Sequence, residues 1–162
     1  PRRDPVPLIC ANRRAPASQH VSVEGLAVDA EGLERFLYAT FPSSQETFKI
    51  PSVTLEALEL TAQAKARHLR PGGTVSGPFL MMLADTAMYL ILLSRIGLVA
   101  DAVTTDLHMR FLRRPPAGEL LARAKLLKLG ARLAVGEVAI FAASDTDRPV
   151  AHATVTYAIP PA

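Results

Sequence analysis

The chain has 162 residues, about the length of one domain, and its 49% hydrophobic content is enough for one sizeable core. Its formal charge of +3 is local: Arg2, Arg3, Arg13 and Arg14 against Asp4 supply it within the first twenty residues, and the remainder carries 14 basic and 14 acidic groups. A nucleic-acid binder more often carries a basic stripe on its folded body, so no nucleic-acid partner is expected.

Residues 1–29 hold four of the thirteen prolines and no sustained periodicity, the pattern of an extended tail or loosely packed arm ahead of a domain over 30–162. The early arginines are followed by no long apolar segment, so a secretory signal is not expected. The single cysteine, Cys10, can form no internal disulfide, and no Cys and His arrangement has zinc-ligand spacing. A cytoplasmic protein without a metal is therefore expected.

From Glu31 to Phe41, Leu33, Phe36, Leu37 and Phe41 recur at helical spacing ahead of Pro42, which predicts a short amphipathic helix. The stretch from Phe48 to Ala64 is ambiguous. Its Ala, Leu, Glu and Gln favour helix, whereas Phe48, Ile50, Val53 and Leu55 could line a strand. A loop rich in Pro, Gly and Thr runs from His68 to Ser76. Ser76, Gly77 and Pro78 then read as a helix start, because serine caps and proline is tolerated in the first turn.

The predicted helix from Pro78 to about Ile96 is apolar on nearly every face, so it should be surrounded by protein, and Gly97 can end it. The fourteen residues Phe79 to Leu92 carry one charge, Asp85, near their centre. That length and that charge argue against a membrane span. A carboxylate moved into apolar surroundings loses several kcal/mol of solvation unless it is paired. Asp85 therefore needs either a hydroxyl partner, such as Thr86 or a threonine of the Thr104–Thr105 pair, or a chemical role.

In "AVTTDLHMRFLRRP", Val103, Thr105, Leu107, Met109 and Phe111 alternate with Thr104, Asp106, His108 and Arg110, which predicts a strand. "ELLARAKLLKL", "ARLAVGEVAIFAAS" and "PVAHATVTYAI" follow at the spacing of an antiparallel meander. The expected fold is α+β, a curved antiparallel sheet wrapped around a central helix. A helix apolar all round needs more cover than one sheet supplies, so a second subunit is expected.

The element order, with "HLRPGGTVSGPFLMMLADTAMY" at the loop–helix junction, resembles the hotdog-fold acyl-CoA thioesterases of the phenylacetic-acid-degradation (PaaI-like) family over about residues 31–160. Gly73 matches that family's first glycine, Gly77 the glycine after its His, and Asp85 the acid nine positions after the His. Arg70 stands where the family usually has Asn, Ser76 where it has His, and Pro78 where it has a second Gly. The resemblance implies a homodimer or homotetramer and tips the Phe48 to Ala64 stretch toward one long first strand.

It further implies hydrolysis of an acyl-CoA thioester, with the Gly77 amide at a helix N-terminus polarising the carbonyl. Asp85 would serve as general base or nucleophile. Eight residues separate the two, roughly 12 Å along one helix, so the site would lie between subunits, the acid of one facing the helix start of the other. Arg70, Gly73, Ser76, Met82, Thr86 and Tyr89 are candidates for substrate binding. Ser76 reads first as a helix cap and Met82 and Tyr89 first as core, with substrate contact second, whereas Gly72 and Gly73 read equally as turn residues. His68 abuts the junction and is a better outside candidate than His108. Arg110, Arg113, Arg114, Lys128 and Arg132 form a solvated face or, through Arg110, Arg113, Lys128 and Arg132, a contact for the phosphates of coenzyme A. No other cofactor is implied. A non-catalytic acyl-CoA binder on the same fold is the alternative, and a hydratase finds no Asp-to-His pairing at helical spacing.

Overall fold

A computed structural model of the protein describes residues 25–161. Cys10 and most of the expected tail lie outside the described residues. The last part of that tail belongs to the fold: the Ala27 amide donates to the Ser94 carbonyl at 2.8 Å. Asp29 caps helix α1 (Ala30–Thr40), its carboxylate accepting the Gly32 amide at 2.8 Å. Leu33 and Leu37, one turn apart, are the residues α1 buries, and the helix stops at Phe41 ahead of Pro42 as its spacing predicts.

The ambiguous stretch is neither a helix nor one long strand. It is a hairpin of β1 (Phe48–Val53) and β2 (Leu58–Gln63). The Thr54 hydroxyl accepts the amides of Glu56 and Ala57 at 3.2 and 3.1 Å and folds the chain back on itself. Alternate burial of Phe48 and Ile50, and of Leu58, Leu60 and Ala62, outweighs the helix propensity of the alanines and glutamates.

Arg70 to Gly73 form a tight turn, with the Gly73 amide donating to the Arg70 carbonyl at 3.0 Å. Gly72 and Gly73 have φ of 98° and 76°, which only glycine adopts without strain. The central helix α2 (Gly77–Ile96) follows. By length and a mean hydropathy of 1.6 it could cross a membrane, but eleven of its residues are buried inside the fold. The remaining strands are β3 (Val103–Phe111), β4 (Glu119–Leu129), β5 (Leu133–Ala142) and β6 (Ala151–Ala158).

They form one antiparallel six-stranded sheet in the order β1-β2-β4-β5-β6-β3. This is the hotdog fold, a curved sheet around a long helix. The expected meander holds for β4, β5 and β6 only. β3 leaves the series and pairs with β6, because α2 delivers the chain to the far edge, and the loop 112–118 carries it back between β2 and β5. That loop is tied down where the Leu112 and Arg113 amides both reach the Val150 carbonyl, at 2.8 and 3.0 Å.

Met88 of α2 packs tightly against β5 at Gly136. A Cβ on Gly136 would stand 2.7 Å from the Lys125 carbonyl oxygen of β4 and would also collide with Met88 Sδ. The methionine can bend aside, but the strand backbone cannot. Gly136→Ala should therefore cost about 1–3 kcal/mol, as overpacking of a dense core does, and thermal unfolding should show a melting point lower by several degrees.

Candidate functional site

Met82, Asp85, Thr86 and Tyr89 fall three and four residues apart, on one face of α2. The sheet covers this face only in part, and it lines a cleft of about 1080 Å³. The segment from the end of α1 to the start of β1 also lines it, with Phe41 and Phe48 among its residues, as do Arg67 and His68.

Asp85 is half-buried and lines this cleft. Its Oδ1 accepts two hydroxyls, Thr104 Oγ1 at 2.6 Å and Tyr157 OH at 2.8 Å. Among the described residues no donor stands on Oδ2. Thr86 is not the partner: its hydroxyl donates to the Met82 carbonyl of its own helix at 2.8 Å. Thr104 reaches Asp85 through an irregularity. The β3–β6 register shifts between Thr104 and Asp106, so that Thr104 stands opposite the buried Tyr157 while Leu107 stands opposite the buried Val155. Strict alternation puts Thr104 on the outer side with Asp106, but the extra residue turns it inward.

Tyr157 is only 3% exposed and stacks on Tyr89 with ring centroids 5.8 Å apart. Burial, and after it the charge of Asp85, drives the Tyr157 phenol far above its ordinary range, so it remains a proton donor at any working pH. Tyr89 is also raised, by burial first and by Asp101 second, and its hydroxyl reaches the Ala100 carbonyl at 3.3 Å.

At the start of α2, Ser76 occupies the capping position but makes no capping bond, and Pro78 has no amide proton. The Gly77 amide has no acceptor among the described residues, so the helix presents an open, partly positive end. The Phe111 ring covers Gly77 so closely that a Cβ there would sit 3.3 Å from Cζ. Thus β3 touches α2 at both ends, through Thr104 at Asp85 and through Phe111 at Gly77.

The other sequence candidates are more scattered. Arg70 and Gly73 are exposed turn residues outside the cleft of this chain. Arg110 lies opposite His152 at one end of β6, and Arg113 donates to the Pro149 carbonyl at 2.7 Å. Lys128 and Arg132 lie at the other end of the sheet, where the Arg132 carbonyl meets the Ile159 amide. Measured along β6, Arg110 is level with His152 and Lys128, through Val135, with Thr156, while Arg132 stands beside Ile159 just past the strand, so Lys128 and Arg132 lie four and seven residues from Arg110, roughly 14 and 24 Å at strand spacing. His108 is exposed on β3.

Sequence reading missed Tyr157, Arg67 and the Phe41–Phe48 segment. The one available signal was the phase of β6, which puts the Tyr157 hydroxyl on the same side as Ala151, Ala153 and Val155, where a polar group requires a partner.

His68 lines the cleft and stacks on Phe79 at 4.1 Å, with Nδ1 accepting the Lys65 amide at 3.1 Å. Burial, then the cations of Arg67 and Lys65, hold its pKa below the ordinary 6.5. As pH falls through that value the unfolded chain takes up the proton first, so acid removes stability. The melting temperature should decline between about pH 7.5 and pH 5, and His68→Gln should flatten that decline.

The thioesterase superfamily model matches residues 72–157, more than half the chain. A candidate thioesterase from a Silicibacter species is 39% identical in crystal structure, covers 89% of this chain and 100% of its own, and superposes with a TM-score of 0.77. A phenylacetic acid degradation-related protein from Ralstonia eutropha is 25% identical, covering 78% of this chain and 98% of its own at TM-score 0.69. A mutant of the phenylacetic acid degradation protein PaaI from Thermus thermophilus is 27% identical, covering 74% and 99% at TM-score 0.63. No curated protein matches the chain. A family match that spans the open helix end, the acid and the two hydroxyls that hold it supports thioester hydrolysis as the reaction class: the chain belongs to the thioesterase superfamily.

Proposed function

We propose that the protein is an acyl-CoA thioesterase of the PaaI-like kind, acting as a homodimer with its sites between subunits. The observation that carries the reading is the half-satisfied carboxylate of Asp85, which lines the cleft with Oδ1 held by two hydroxyls and Oδ2 without a donor among the described residues.

β3 supports the dimer. It is an unpaired edge of nine residues, with Val103 56% and Phe111 55% exposed, which is an edge ready for a second strand. Pairing two such edges antiparallel about Leu107 and His108 sets Thr104 of one copy opposite the partner's Phe111. Asp85 then approaches the partner's Gly77, which removes the difficulty of about 12 Å between acid and amide along one helix. The same pairing carries Arg110 and Arg113 of one copy to the end of the joint sheet that bears Lys128 and Arg132 of the partner subunit, a combination suited to the phosphates of coenzyme A.

In the reaction, the thioester carbonyl lies against the Gly77 amide of one subunit. Asp85 of the other takes a proton from water as the water oxygen adds to the acyl carbon, or its carboxylate adds there itself and water then releases the acyl group. The amide stabilises the oxyanion formed. Collapse of that oxyanion breaks the carbon–sulfur bond, and the thiolate takes up a proton to leave as coenzyme A beside the free acid.

Purified protein should release free thiol from a panel of aliphatic and aryl acyl-CoAs, and Asp85→Asn should lower kcat by at least about 100-fold. Ligand-dependent thermal stabilisation without turnover would instead identify a non-catalytic binder. Co-expressing Asp85→Asn with Gly77→Val, each inactive alone, should restore about a quarter of the activity, because half the dimers are mixed and each mixed dimer has one intact site. A site contained in one chain gives no recovery.

A further inference from the structure

We infer that Tyr157 is a positioning residue for this site: with Thr104 it ties down one oxygen of the Asp85 carboxylate and so fixes the plane and direction in which the other, Oδ2 in this structure, is presented. The inference rests on the thioesterase reading and adds to it a residue on the last strand, remote from the loop–helix junction that carries the family's motif.

A carboxylate on a solvated helix face turns about its terminal torsion with little preference, presenting either oxygen and a range of angles. Here two donors converge on one oxygen, at 2.6 and 2.8 Å, from two different strands. Rotation by a quarter turn would break both bonds and leave both hydroxyls without the acceptor they face, while a half-turn only exchanges the two equivalent oxygens and restores the same plane and direction.

The donors are themselves held. The phenol ring is buried and stacked on Tyr89, and Thr104 is turned inward by the irregularity in β3. Tyr157 has one proton and two oxygens of Asp85 within reach, the carboxylate at 2.8 Å and the main-chain carbonyl at 3.2 Å. The shorter, charge-assisted contact takes the proton.

Held in this way, the free oxygen meets water or the acyl carbon along one direction, and orientation of this kind governs turnover more than substrate affinity. Neither hydroxyl needs to touch the substrate.

Tyr157→Phe removes the hydroxyl and keeps the ring stack. Its kcat should fall about 10- to 100-fold with KM within about twofold, the pattern of a lost orientation effect. Thr104→Val should fall similarly, whereas Thr104→Ser, which keeps a hydroxyl at the same place, should retain most of the turnover. A purely structural role would lower the melting temperature of Tyr157→Phe and leave kcat per folded molecule intact. Wild-type kcat in Tyr157→Phe, beside an inactive Asp85→Asn, overturns the inference and leaves the thioesterase reading standing. Full activity in Asp85→Asn, or no thiol release by the wild-type protein, overturns both.

Discussion

Much of this structure depends on how one negative charge is accommodated in an apolar helix. α2 is wrapped by the sheet, but the face bearing Met82, Asp85, Thr86 and Tyr89 looks into the cleft, so the carboxylate avoids full desolvation. Three remote elements meet there: the middle of α2, the start of β3 and the end of β6. Moving any of them by one residue takes a donor away from Oδ1. An irregularity in β3 that looks like a local defect is the feature that supplies Thr104.

The edge of the sheet matters next. A long, half-apolar strand with one edge unpaired is unusual in a stable monomer, and β3 is neither short nor broken by proline, its edge being interrupted only by Asp106, Arg110 and the irregularity beside Thr104. It is also the strand that contacts both the helix start and the acid, through Phe111 and Thr104. The surface that calls for a partner is therefore continuous with the groups proposed for the chemistry, and self-association and catalysis are proposed to share one strand.

How much of this was legible in the sequence differs by element. α2 could be read from its nearly continuous apolar run, β3 from its alternation and β4, β5 and β6 from their spacing between turns, because each signal is local in the chain. The β1–β2 hairpin could not, since its composition favoured helix and only burial against α1 and α2 decided otherwise. In the site, Asp85 stood out as a lone charge among apolar neighbours. Thr104 was one of several hydroxyls weighed as its partner, but simple alternation turned it away. Tyr157 lies 72 residues further along the chain and carried almost no signal.

The sequence by itself determined where the central helix lies, which segments form the last four strands and where the isolated acid sits, because periodicity and local polarity are properties of neighbouring residues. Only the tertiary structure decided that β3 closes the sheet beside β6, that Thr104 turns inward and that two hydroxyls converge on one oxygen of Asp85. Those outcomes depend on hydrogen-bond partners far apart along the chain, and strand pairing of that kind is set by the packing of the whole sheet around α2 rather than by any local pattern.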